Sequence, residues 1–225
     1  MTTQSGLEYA VDIVLCIDKT GSMSPVIDKV KANATRLHDD LKIKLDEKGK
    51  PMSQLRIRVI AFGDIYADKD RWLQSSEFFK LPAQVDAFKN FIGKVEAEGG
   101  GDEPENGLEA LSLAMKSSWT NEGNRRRHVV VMWTDASAHK LEKRADSDVE
   151  LTETLPKDLN EFADLWNGQA IDQNGKRLVM FAPEAYPWSD LGMHFEQAWL
   201  LPTRAGEGMK EHEYDEILHL LSNSI

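Results

Sequence analysis

One apolar run is followed directly by a carboxylate and two hydroxyl side chains, in a predicted turn that contains glycine. The apolar residues 13–17 are followed by Asp18, Thr20 and Ser22, each separated from the next by one residue. Such a run is typical of a strand buried on both faces, and residues 26–45 after it carry apolar side chains at helical spacing. Ligands bind outside the carboxyl ends of the strands of an open parallel sheet. We therefore expect Asp18, Thr20 and Ser22 to lie at a functional edge.

Strands and helices alternate along the rest of the chain. The runs that predict further strands are residues 55–62, a short edge strand at 76–81, 128–135, 177–182 and 197–201. Apolar residues at helical spacing predict helices at residues 85–95, 104–118, 159–166 and 211–221. This alternation favours an α/β fold with a doubly wound, mainly parallel sheet, one short antiparallel edge strand and helices on both faces.

Length, charge and cysteine content limit the function classes. At 225 residues the chain can bury a substantial core, and we expect a single domain over residues 1–225. A net charge of -11 would repel a phosphate backbone, so nucleic acid is not an expected partner.

The amino-terminal residues do not resemble a secretory signal and no apolar run is long enough to span a membrane, which favours a cytoplasmic location. Cys16, the only cysteine, lies within the first strand and is expected to be buried.

Two further loops carry carboxylates to the same predicted edge. Asp102 follows the three glycines at residues 99–101, and Asp135 ends the strand predicted at residues 128–135. Carboxylates and hydroxyls suit Mg²⁺ or Mn²⁺ better than zinc, and the six histidines show no competing spacing. We therefore predict a site for one of these cations. The expected ligands are Asp18, Thr20, Ser22, Asp102 and Asp135.

These residues resemble the von Willebrand factor A domain with its metal-ion-dependent adhesion site. The family pattern Asp-x-Thr/Ser-x-Ser-Met matches residues 18–23, the glycine-rich loop and its helix match residues 99–111, and the Thr-Asp-Ala/Gly strand end matches residues 134–136. The resemblance covers essentially the whole chain in element order. It is closest to free-standing bacterial domains and to domains attached to atypical alpha-kinases. It implies a non-catalytic module whose metal is a docking point for a protein partner.

The glycine-rich loop departs from the family pattern. The family usually has a threonine where this chain has Asp102, if Gly107 matches the small residue in the following helix; Glu103 is an alternative ligand. Three carboxylates would more than neutralise a divalent ion, so we expect firm metal binding and a weaker attraction for an incoming carboxylate. The resemblance also implies a multi-protein cytosolic complex that includes an AAA+ ATPase or a kinase system.

Three other interpretations are open. The string from Asp18 to Gly21 also resembles the phosphorylation loop of haloacid-dehalogenase-type phosphotransferases, in which Asp18 would be the nucleophile of a Mg²⁺-dependent phosphohydrolase. Alternatively, Asp18, Thr20, Ser22 and Asp102 simply cap helices. A further interpretation is that the protein is a metal-independent scaffold that binds through its helices.

Two further sets of residues have open assignments. Asp64 ends the second predicted strand at the same edge, where it would support the metal site, contact a partner or form a turn. Trp72, Trp133 and Trp188 are either core residues or anchors for a partner surface.

Overall fold

One mixed sheet organises the computed structural model, which describes residues 8–99, 103–149, 151, 154–169, 171–208 and 213–225. Its strands are β1 (Tyr9–Asp18), β2 (Met52–Phe62), β3 (Leu73–Ser75), β4 (Phe79–Leu81), β5 (Arg125–Trp133), β6 (Lys176–Ala182) and β7 (Ala198–Pro202). The order across the sheet is β3-β2-β1-β5-β6-β7, and β4 also pairs with β2. Neighbours from β2 to β7 in this order are parallel, whereas β3 and β4 are antiparallel to β2. The predicted fold class is confirmed.

Helices cover both faces of the sheet. They are α1 (Ser24–Asn33), α2 (Leu37–Glu47), α3 (Ile65–Asp68), α4 (Val85–Gly93), α5 (Gly107–Met115), α6 (Leu159–Asn167), α7 (Trp188–His194) and α8 (Tyr214–Ser224). Apolar residues of α1, α2, α4 and α8 share one core with Ile13, Leu15 and Ile17 of β1. Those of α5, α6 and α7 share the other core with Val14 and Cys16. Because successive strand residues point to opposite faces, β1 needs apolar side chains at nearly every position.

Two predicted helices have different bounds. The single helix predicted over residues 26–45 is divided into α1 and α2 by a turn at residues 34–36. The helix predicted over residues 104–118 begins only at Gly107, because the loop before it pairs with another loop through a parallel bridge between Glu105 and Ala138.

The edge strand and the last helix also differ in detail. The strand predicted over residues 76–81 is replaced by β3 and β4, which flank Ser76, and the Ser76 hydroxyl accepts the amide hydrogen of Val59 at 3.0 Å. The sheet therefore has two short antiparallel strands where one was expected. The helix predicted over residues 211–221 is α8, and residues 211 and 212 lie outside the described part of the chain.

The three tryptophans with open assignments are core residues. Trp72, Trp133 and Trp188 are all at most 3% exposed, so their assignment to a partner surface is wrong. Cys16 is fully buried as predicted, and burial raises the pKa of its thiol far above the usual value. Among the described helices, none combines the length and apolar character that a bilayer crossing needs.

The central strands determine where the loops meet. The chain leaves β1 for β2 on one side and later crosses to β5 on the other side, which opens a crevice at the carboxyl ends of β1 and β5. The register pairs Ile17 with Trp133. Asp18 and Thr134 therefore leave their strands side by side.

Candidate metal centre

Asp18 lies at the buried centre of a hydrogen-bonded cluster. Its side chain is 0% exposed. Oδ1 accepts from the Thr20 amide at 2.9 Å and from Thr20 Oγ1 at 2.6 Å, while Oδ2 accepts from Thr134 Oγ1 at 2.7 Å. Burial raises the pKa of Asp18 to about 6, although the hydrogen bonds act in the opposite direction, and the nearby Asp135 adds to the increase. A positive charge here would therefore favour the ionised carboxylate.

Ser22 and Asp135 bring two loops together beside Asp18. Ser22 is exposed in the short 3₁₀ helix Gly21–Met23. Its Oγ lies 3.5 Å from Thr20 Oγ1 and donates to Asp135 Oδ1 at 3.0 Å. Asp135 is nearly fully buried, and its Oδ2 accepts the Gly208 amide hydrogen at 2.8 Å. Hydroxyls and carboxylates from loops that are far apart in sequence thus converge at one place.

The structure brings together four of the five predicted ligands. They are Asp18, Thr20, Ser22 and Asp135. Asp102 lies outside the described residues, and the alternative Glu103 is exposed. In the described part of the chain, no three His, Cys, Asp or Glu side chains converge as metal ligands. A cation would therefore depend on hydroxyl oxygens as well as carboxylates, and this all-oxygen donor set fits Mg²⁺ or Mn²⁺.

The segment after β7, residues 203–208, closes one side of this cluster. The Gly206 amide donates to the Asp135 carbonyl at 3.0 Å, next to the bond from Gly208 to the Asp135 side chain. Gly208 has a φ of +64°, and a Cβ at this position would lie only 2.0 Å from the Ser22 carbonyl oxygen. Both the conformation and the space require glycine. The segment therefore holds Asp135 and Ser22 in a fixed relation.

A buried carboxyl group lies near the cluster in the loop before α5. Glu105 is 4% exposed, and its Oε2 has no hydrogen-bond partner within the described structure. Its amide donates to the Ser137 carbonyl at 3.0 Å, and its carbonyl accepts from the His139 amide at 2.8 Å. Burial raises the pKa of Glu105 to about 9, and nearby aspartates add to this effect. These are Asp18, Asp64, Asp68 and Asp135.

Asp64 begins α3 beside a cleft of about 570 Å³ whose lining includes Glu103 and His139. Its Oδ1 accepts from the Tyr66 amide at 2.9 Å and lies 3.3 Å from His139 Nε2. Burial lowers the pKa of His139, although Asp64 acts in the opposite direction. The Asp64 side chain thus caps α3, which agrees with its assignment to the turn after β2.

Glu109 is a second buried carboxyl group, one turn along the chain from Glu105. It is 0% exposed within α5. Burial raises the pKa of Glu109 to about 7, while Asn106 and Arg144 act in the opposite direction. Like Glu105 Oε2, both carboxyl oxygens of Glu109 lack a hydrogen-bond partner within the described structure.

Glu109→Gln is expected to stabilise the protein most strongly above pH 7. The pKa of Glu109 is about 7 in the folded protein and has the usual value of 4.5 in the unfolded chain, so the folded state binds this proton more tightly. The wild type therefore loses stability as the pH rises from about 4.5 to about 7. The variant avoids this loss and should gain about 3 kcal/mol, at roughly 1.4 kcal/mol per pKa unit. Urea unfolding of both proteins between these pH values measures the effect. A difference in free energy of unfolding that stayed constant across this range would contradict the prediction.

Solved structures of pilus proteins share this architecture. The pilus adhesin SpaC from Lactobacillus rhamnosus GG matches with a TM-score of 0.55 and 10% identity, over 95% of this chain and 30% of SpaC. The vWF domain of the type V pili tip protein Mfa5 from Porphyromonas gingivalis matches with a TM-score of 0.52 and 11% identity, over 96% of each chain. At these identities the likeness concerns the fold alone.

In sequence, the chain is similar to the alpha-protein kinase vwkA of Dictyostelium discoideum. The two are 30% identical over 142 residues, which cover 61% of this chain and 20% of the kinase. The chain thus corresponds to about a fifth of the length of this relative. No protein-family model matches the chain. The chain therefore has a von Willebrand A-type fold, and its sequence is similar to one segment of an alpha-protein kinase.

Proposed function

We propose that the chain is a protein-binding module that depends on a divalent cation held at a metal-ion-dependent adhesion site. Mg²⁺ or Mn²⁺ binds to Asp18, Thr20, Ser22 and Asp135, together with Asp102 or Glu103 of the glycine-rich loop. The observation that carries the proposal is the 3.0 Å contact between Ser22 Oγ and Asp135 Oδ1, with Thr20 Oγ1 3.5 Å from Ser22 Oγ. Hard oxygen atoms from two separate loops meet there, and Ser22 is exposed.

Helix capping does not account for this convergence. The helices that follow β1 begin after Thr20 and Met23, and neither has a hydrogen bond from a capping side chain. Asp18 and Ser22 instead bond to Thr134 and Asp135 at the end of β5. Polar side chains at the end of β1 and in the loops after β1 and β5 therefore contact one another, which supports a shared cation site.

The partner is a protein that docks at the carboxyl edge of the sheet. When bound, the cation supplies positive charge and an open coordination position for an oxygen atom of the partner. Because Asp18, Asp135 and a carboxylate of the glycine-rich loop would neutralise the ion, the partner oxygen need not belong to a carboxylate. The net charge of -11 argues against nucleic acid as the partner, and no membrane partner is proposed.

The proposed setting is a cytoplasmic multi-protein complex in which residues 1–225 form one such module. Two kinds of complex are considered, one containing an AAA+ ATPase and one containing a kinase. Similarity to a segment of an alpha-protein kinase favours the kinase system. This choice rests on analogy with the relative.

The phosphohydrolase alternative is less favoured because Asp18 is poorly placed as a nucleophile. An attacking carboxylate needs an oxygen atom that a whole phosphoryl group can reach, whereas a metal ligand has to admit only a small cation. Asp18 is 0% exposed, and both of its oxygens accept hydrogen bonds from Thr20 or Thr134. We therefore propose a non-catalytic role.

Ser22→Ala is expected to weaken Mg²⁺ binding by about tenfold or more, because the variant loses one oxygen ligand worth roughly 1.4 kcal/mol. Calorimetric titration of Mg²⁺ and Mn²⁺ into both proteins measures this loss. Ser24→Ala is the matched control, since the Ser24 hydroxyl contacts Asp28 at 3.5 Å on the exposed side of α1. If the wild type binds neither ion, the proposed metal-dependent function is wrong and the metal-independent scaffold is favoured. Equal binding by wild type and Ser22→Ala would remove Ser22 from the ligand set.

A further inference from the structure

β7 forms one edge of the sheet, and within the described residues no strand pairs with its outer side. The Gln197 carbonyl and the Thr203 amide bond to β6 on the inner side. Because main-chain groups alternate in direction along a strand, Ala198 and Leu200 direct their N–H and C=O groups outwards. At Pro202 only the carbonyl is available, since proline has no N–H. This edge is therefore a template to which a further strand can bond.

Natural sheet edges are usually blunted by short strands, charges or proline, and β7 has only Pro202 at its end. The opposite edge is divided into β3 and β4, each of three residues, and Lys80 of β4 is exposed. β7 contains no charged residue, and its Trp199 is 44% exposed. Trp199 and Leu201 line a cavity of about 270 Å³ together with Leu220 of α8. An apolar surface therefore continues from the core to the β7 edge.

We propose that β7 pairs with β7 of a second copy of this chain, antiparallel about a twofold axis at Leu200. The two Leu200 residues exchange a pair of hydrogen bonds, and each Ala198 N–H donates to the Pro202 carbonyl of the other copy. Both outward N–H groups of each strand are thus bonded, since Pro202 contributes none. The inference goes beyond the proposed function and does not require the cation.

The side chains of β7 complement one another in this arrangement. Leu200 lies on the face that α7 covers, where a Cβ at Gly192 would be 3.1 Å from the Leu200 Cβ. Trp199 and Leu201 lie on the other face, beside α8. Trp199 of one copy is then directly opposite Leu201 of the other, at a position where antiparallel strands bring side chains closest together. The pairing therefore covers the exposed ring of Trp199 in both copies.

The charges that flank β7 favour a second copy in the antiparallel direction. Glu196 lies two positions before β7 and Arg204 two positions after it, and both are exposed. Arg204 lies 3.5 Å from Glu207 of its own chain, in an exposed ion pair that contributes little to stability. In the antiparallel pair, each Glu196 is at the same end as Arg204 of the other copy. Opposite charges therefore meet at both ends, whereas a parallel pair would bring like charges together.

The two carboxyl edges face opposite directions in this dimer. β7 runs parallel to the central strands of its own sheet, and antiparallel pairing reverses the second copy. The dimer therefore presents two docking edges on opposite sides. This consequence alone rests on the proposed function.

The experiment measures the mass of the protein by sedimentation velocity from about 1 to 300 µM, the range in which a small interface assembles. EDTA is present throughout, so the result is independent of the proposed cation. The wild type is expected to change from monomer to dimer. Trp199→Glu should weaken the dimer by about 100-fold or more, because it replaces an apolar contact by a charge in both copies. Ile43→Glu is the matched control, since Ile43 is 55% exposed on α2, and it should change the affinity by less than about twofold.

Charge reversal tests the direction of the two strands. Glu196→Arg and Arg204→Glu should each weaken the dimer by about tenfold, because each change brings like charges together at both ends. The double variant, Glu196→Arg with Arg204→Glu, should restore the affinity to within about threefold of the wild type.

A wild type that stays monomeric at the highest concentration would overturn the proposal and leave β7 to a strand of a different protein. A dimer that Trp199→Glu does not weaken would also overturn it, because another surface would then hold the copies together. Single reversals without effect, or a double variant no better than they are, would exclude the antiparallel pair. If Trp199→Glu does not fold, the reversals at Glu196 and Arg204 decide, since both residues are exposed.

Discussion

Asp18→Ala is expected to reduce Mg²⁺ affinity by a factor of about 100 or more while the protein remains folded. The change removes a carboxylate ligand, and a loss of about 3 kcal/mol corresponds to this factor. The fold should persist, because burial of the Asp18 carboxylate is itself unfavourable and raises its pKa to about 6. The hydrogen bonds lost to Thr20 and Thr134 offset part of this gain. Calorimetric titration and circular dichroism measure the two effects separately.

Asp18→Asn is the control that keeps the shape of the side chain. It loses the charge but retains an oxygen acceptor for the Thr20 amide, so it should fold and bind Mg²⁺ as poorly as Asp18→Ala. Wild-type affinity in both variants would show that the cation does not lie at Asp18. Unfolding of both variants would instead assign Asp18 a mainly structural role.

Gly208→Ala is expected to destabilise the protein by about 3 kcal/mol or more and to weaken Mg²⁺ binding. Its φ of +64° disfavours any side chain, and the new Cβ would lie 2.0 Å from the Ser22 carbonyl oxygen. Segment 203–208 must therefore shift, which breaks the bond from the Gly208 amide to Asp135 and displaces Ser22. Urea unfolding gives the loss of stability, and Mg²⁺ titration gives the effect on the site.

Gly206→Ala separates backbone conformation from steric overlap. Gly206 has a φ of +70°, but a Cβ there would have nothing within 4 Å. This variant should lose only about 1 to 2 kcal/mol, the usual penalty of a left-handed conformation for alanine. Equal losses of stability in Gly206→Ala and Gly208→Ala would mean that the steric overlap with Ser22 does not contribute to the effect at position 208.

The central sheet and the meeting of its loops were predictable from local patterns. An apolar run long enough for a strand and too short for a long helix identified β1, and polar residues directly after β1 and β5 marked where each strand ends. Parallel strands bring their carboxyl ends to one edge, which is why Asp18 and Asp135 were expected to be neighbours. The hydrogen bonds from Ser22 and Thr134 agree with that expectation. Metal binding itself stays a prediction.

Other features depend on contacts between distant parts of the chain. No proline or glycine separates α1 from α2, so apolar spacing alone predicted one continuous helix. Glu105 occurs in an acidic stretch that would normally be exposed, and it is buried because its loop pairs with residues 137–139. The requirement for glycine at position 208 arises from its approach to Ser22, 186 positions earlier in the numbering of the chain. Local sequence carries no signal for such contacts.

The burial of Cys16 makes the chain convenient for spectroscopy. Its thiol is 0% exposed near the carboxyl end of β1, and the thiolate that reacts with maleimides or iodoacetamide is strongly disfavoured there. A cysteine introduced at an exposed position such as Met193 of α7, which is 69% exposed, would therefore be labelled selectively with a dye under native conditions. No cysteine would have to be removed first, since Cys16 is the only one in the sequence. Conversely, modification of Cys16 in the unlabelled protein would report the opening of the sheet itself.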